Sequence, residues 1–230
     1  MPFVKETVRE VANMRKCACV TFGLLLLGGT LSTSGEVRAQ ASPVQTHIGH
    51  VTDGFQATPN QQGLLPTALA EAKIATQHAG LALKSPDNLD AIKLHAGHVI
   101  HAIDPSIEPK GPGLGFGVKR AAAGVAQHIQ LAAKSEGASA NVKTHATHVA
   151  AAATNVASRA DEVVALAQKV RAAGTAAEAA SLMGQVQTAV EQLTAGLDAN
   201  KDGRVNWDMP EGGLQQAQTH VDLLKKGEAQ

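Results

Sequence analysis

The chain has 230 residues, with 20 basic and 20 acidic side chains, ten histidines, two cysteines, one tryptophan, four phenylalanines and no tyrosine. Balanced charge without a basic cluster argues against nucleic acid and anionic membrane as partners. Cys17 and Cys19 are the only cysteines, so the rest of the chain has no disulfide, thiolate ligand, thiol nucleophile or CxxCH haem attachment.

In chain order, residues 1–39 read as an export leader. Met14-Arg15-Lys16 gives a basic start, Cys17 to Leu31 an apolar stretch, and Val37-Arg38-Ala39 the small residues of a cleavage site. The apolar stretch is shorter than the roughly 20 residues a spanning helix needs. Cleavage after Ala39 is therefore expected, giving a periplasmic or secreted protein with no stable membrane insertion. The leader carries five of the 20 basic and three of the 20 acidic residues, leaving 15 against 17. Residues 40–230 are rich in alanine, the strongest helix former, and poor in strand-favouring aromatics. An all-α helical bundle in one domain is expected.

An internal repeat organises this domain. Residues 63–104 laid over 113–154 without a gap give 15 identities in 42 positions, including His78/His128, Leu81/Leu131, Lys84/Lys134, His95/His145 and His98/His148. Alanine bias cannot place three histidines in register, so duplication is inferred. Each unit reads as a helical hairpin. The first begins near Pro66, turns at Ser85-Pro86-Asp87-Asn88 and ends before Asp104-Pro105; the second starts at Gly117, after a glycine-rich linker, and turns at Glu136-Gly137-Ala138-Ser139. Antiparallel folding about these turns places His78 level with His95, and His128 level with His145. His98 and His148 follow about 4.5 Å along the same helix face. The expected triads are His78/His95/His98 and His128/His145/His148.

A third triad is expected from the two ends of the domain. His47-Ile-Gly-His50-Val51 matches His95-Ala-Gly-His98-Val99, and His220, Leu223 and Lys226 repeat the spacing of His78, Leu81 and Lys84. Packing of the terminal helices on each other would join His220 to His47 and His50. Between the repeats and the last helix, residues 139–172 and 176–197 carry apolar residues at helical spacing and read as scaffold.

The segment Asp198-Ala-Asn200-Lys-Asp202-Gly203-Arg204-Val205-Asn206 places side-chain oxygens at positions 1, 3 and 5, with a glycine at 6 and an apolar residue at 8. It resembles the calcium loop of the EF-hand family. The resemblance implies a structural Ca2+ held by Asp198, Asn200, Asp202, Arg204 and, in place of the usual glutamate where Met209 stands, Glu211 or Asp208.

Neutral imidazoles suit copper, zinc, nickel or iron. The expected function is transition-metal binding at repeated three-histidine sites for storage, transport or sensing. One alternative is a multi-haem b-type cytochrome with histidine axial ligands in periplasmic electron transfer. Another is a structural or interaction module without a cofactor, its partner protein undefined. No acid recurs beside the histidines in both repeats, as Asp104 aligns with Thr154 and Glu71 with Ala121. Holding is thus favoured over catalysis.

Overall fold

A computed structural model describes residues 41–229, which form seven α-helices and no strand. They are α1 (Pro43–Thr52), α2 (Leu64–Leu83), α3 (Leu89–Ile103), α4 (Val118–Lys134), α5 (Ala140–Ala172), α6 (Ala176–Ala195) and α7 (Leu214–Glu228). The expected export leader lies outside the described residues. Among them, no helix is long and apolar enough to cross a membrane.

Local chemistry sets several of the helix starts. Ser42, Asn88, Ser139 and Thr175 each stand just before a helix and accept a first-turn backbone N–H with the side-chain oxygen, as in Asn88 Oδ1 from Ala91 at 3.0 Å. The turns at 84–88 and 135–139 fall where the breaker residues put them, and Gly137 supplies a positive φ of 80°.

The core is built largely from alanine and valine. Ala68, Ala72, Ala75, Ala79 and Ala82 form the buried stripe of α2, and α4 adds Ala121, Ala122, Val125, Ile129 and Ala132. Small side chains let the helices approach closely, so burial is reached with few large groups. The 33-residue α5 is the central element and packs against α3, α4, α6 and α7; α1 lies on α4, and α2 on α3 and α6.

Two buried charged residues tie the connections down. Glu71 is fully buried, and its carboxylate accepts backbone N–H bonds from Leu114, Phe116 and Gly117 at 3.1, 2.9 and 3.0 Å. The glycine-rich segment expected to be a plain linker is therefore anchored to α2. Arg159 on α5 is also buried, and its guanidinium donates to the carbonyls of Gln192 (2.9 Å) and Pro210 (2.6 Å). Asn155, one turn earlier, donates to the Asp208 carbonyl at 2.9 Å. Together they seat the segment before α7.

Candidate metal centres

Nine of the ten histidines gather into three groups of three: His47, His50 and His128; His78, His95 and His98; His145, His148 and His220. Each group joins a helix bearing the H-x2-H pair to a helix bearing a single histidine. Site 1 lies between α1 and α4, site 2 between α3 and α2, and site 3 between α5 and α7.

The sites share one geometry. The Nδ1 of the single histidine lies 3.0–3.1 Å from the Nδ1 of the first histidine of the pair: His128 to His47, His78 to His95, and His220 to His145. It lies 3.3 Å from the second, His50, His98 or His148. An imidazole nitrogen has one in-plane position, holding either a proton or a lone pair. The central Nδ1 can therefore satisfy only one of its two neighbours by a hydrogen bond. A cation satisfies all three lone pairs at once, and nitrogens about 2.0–2.1 Å from a four-coordinate ion sit about 3.3 Å from one another.

The nine side chains are half-buried, and at six of them burial favours the uncharged form. It lowers the pKa of His78, with His98 and His95 adding repulsion, and that of His128, with His50 and His47 doing the same. His47 and His148 are lowered first by burial and then by His50 and His145 respectively, Asp208 opposing the shift at His148. His98 is lowered by burial, His95 and His101, against the pull of Glu108. His220 is moved furthest, to about 4, by burial and then by His148 and His145. Uncharged imidazole is the ligand form.

The sequence placed site 2 correctly and exchanged partners between the other two. His128 does not join His145 and His148, and His220 does not join His47 and His50. The turn at 135–139 fixes the level of His128 against His145 but not the direction in which each helix faces. The histidines of α4 and α5 turn away from each other, His128 to α1 and His145 and His148 to α7. In α2 and α3 they share a flank. The terminal helices do meet, through the Lys225–Asp53 ion pair at 3.3 Å, but this contact brings no histidines together.

The tenth histidine stands apart. His101 is buried, and its Nδ1 donates to the Glu108 carbonyl at 2.8 Å, which accounts for it as a structural residue.

The 198–211 loop places its oxygens against its own backbone. Asp198 accepts from Asp202 N at 3.1 Å and Gly203 N at 2.9 Å, Asn200 Oδ1 from Asp202 N at 2.9 Å, and Asp202 from Arg204 N at 2.9 Å. Glu211 is buried and accepts from Asn206 N at 3.0 Å and Asn200 N at 3.4 Å. Among the described residues, the compact groups of three ligand side chains consist of histidine alone, so Asp198, Asp202 and Glu211 do not converge as a ready-made set.

Two functional neighbours escape a histidine-centred reading of the sequence. Trp207 stacks on His148, ring centres 3.9 Å apart and planes 17° apart, and meets His220 edge-on at 6.3 Å. Phe55 meets His50 at 5.3 Å and His128 at 5.0 Å, both edge-on. The signal for them was scarcity: between residues 41 and 229 the aromatic side chains other than histidine are Phe55, Phe116 and Trp207.

Comparison with protein-family models, curated proteins and solved structures returns no match. The class therefore rests on the molecule itself: an all-α protein with three separate three-histidine clusters positioned to chelate a metal ion.

Proposed function

We propose that this is an exported protein that holds up to three transition-metal ions, one per histidine triad, for storage, transport or sensing. The observation that carries the reading is the thrice-repeated central Nδ1 with two imidazole nitrogens at 3.0–3.3 Å. All-nitrogen ligation with a fourth position free suits copper, zinc, nickel or iron. Haem fits this geometry poorly. Two axial imidazoles must stand on opposite faces of a wide macrocycle, whereas here a third nitrogen occupies the space beside the central one. Holding is favoured over turnover because histidine alone makes up each cluster and Glu71, a buried carboxylate, is committed to three backbone N–H groups.

The proposal includes a structural Ca2+ at Asp198, Asn200, Asp202 and Glu211, with the Arg204 carbonyl. Its support is the oxygen spacing together with the positive φ of Gly203, 82°, and the Gly203 N–H that holds one oxygen of Asp198.

Elemental analysis after loading with Cu(II), Zn(II) or Ni(II) and desalting tests the main reading. The expected result is close to three equivalents, falling by one in each of His78→Ala, His128→Ala and His220→Ala. Retention of no metal by the folded protein overturns it.

A further inference from the structure

The three sites have nearly identical ligand geometry and different surroundings. Trp207 lies flat on His148 at site 3, and Phe55 stands against His50 and His128 at site 1. At site 2, His78, His95 and His98 have only one another as aromatic neighbours among the described residues. Two of the three non-histidine aromatic rings between residues 41 and 229 are thus spent on histidine sites, in a chain that packs its core with alanine, valine, isoleucine and leucine.

A metal leaves a three-imidazole site one ligand at a time: a ring swings its nitrogen away, and water or an incoming donor takes the vacated position. An aromatic ring packed on a ligand opposes that swing through stacking and edge contacts, and it denies water one side of the ion. The ring that stacks on His148 meets two of the three ligands of site 3, and Phe55 meets two of the three at site 1. The rings arrive by different routes. Phe55 follows the end of α1, and Trp207 precedes α7 on the segment held by Arg159 and Asn155. The turn joining α2 and α3 carries no aromatic residue.

Resting on the three-site reading above, we propose that the sites divide their labour. Site 2 is the exchange site, through which ions are taken up from and given to outside donors and acceptors. Sites 1 and 3 are retention sites, with Phe55 and Trp207 as positioning residues that hold the ligand rings closed. The inference concerns rates and therefore adds to the count of ions bound.

The full chain is loaded with three equivalents of Zn(II), mixed with excess of a coloured chelator, and the transfer of metal followed in time. The expected course is one equivalent in a fast phase and two in slow phases. His78→Ala removes the fast phase and leaves the slow ones. Trp207→Leu and Phe55→Leu, which keep apolar bulk, each speed one slow equivalent by about 2- to 10-fold, the range an aromatic contact supplies. Three bound equivalents released at one common rate overturn the inference while leaving the three-site reading intact, as does loss of a slow equivalent in His78→Ala. Protein that binds no metal overturns both.

Discussion

His128 separates two ligand sets that spacing alone leaves equivalent. It sits 17 residues before His145, the same interval that joins His78 to His95 at site 2, yet its Nδ1 meets His47 and His50. His128→Ala should therefore abolish site 1 and leave His145, His148 and His220 intact. Trp207, the only tryptophan, stacks on His148 and reports on site 3. Its fluorescence quenching by Cu(II) should persist in His128→Ala and drop sharply in His220→Ala. Titration adds a second test at this scale. The folded pKa of His220 is depressed to about 4 from an ordinary 6.5, so between these values the unfolded chain binds more protons than the native one. Stability of the metal-free protein should then fall as pH drops from about 6.5 toward 4, with His47, His78, His98, His128 and His148 contributing in the same direction. Thermal melts at pH 7 and pH 5 check the sign. A bound metal, which selects the uncharged rings, should displace the transition to lower pH.

At the scale of elements, helix boundaries were legible because alanine-rich periodicity and breaker clusters mark them. The turns at 85–88 and 136–139, the break at Gly174 and the irregular stretch before α7 stand where the residues indicate. The orientation of each helix about its axis was not legible. With alanine on much of the surface, several faces of α4 and α5 are apolar enough to be buried, and only the packing of all neighbours selects one. The polar anchors were equally hidden, since each depends on a distant segment. Glu71→Ala would leave two buried N–H groups and one half-buried one without a partner and should cost about 3 kcal/mol or more, with Glu71→Gln milder. Arg159→Met would leave the Pro210 carbonyl without its partner and the Gln192 carbonyl with the Gly196 N–H alone, at about 1–3 kcal/mol. Because that arginine seats the segment carrying Trp207, the same substitution should weaken site 3 more than site 2. Denaturant melts and metal analysis of the two variants test both statements.

Over the whole molecule, the metals act as clips between elements of very different sequence separation. Site 2 joins residues 17 and 20 apart, whereas site 1 spans 78 and 81 residues and site 3 spans 72 and 75. Anything that binds only the folded chain stabilises it, by about 2.7 kcal/mol per site when free ligand is a hundredfold above Kd. For a domain of this size that is about 5–10 °C in Tm per occupied site. Calorimetry of metal-free and fully loaded protein should show the gain, and His128→Ala or His220→Ala should each forfeit roughly a third of it. α1 should respond most. It is ten residues long and buries only Val44, Ile48 and Val51, too little for a helix to persist alone, so backbone hydrogen exchange in α1 should slow on loading.

The order of the three sites along the sequence bears on how a chain emerging N-terminus first acquires its ions. Site 2 is complete once His98 has appeared, site 1 once His128 has, and site 3 only when His220 follows, ten residues from the last. Until then His145 and His148 are a bidentate claw without its third arm, and His128 lies at the same level one helix away. Metal met before His220 has emerged finds two of the three ligands of site 3, so faithful loading favours ions delivered after synthesis is finished.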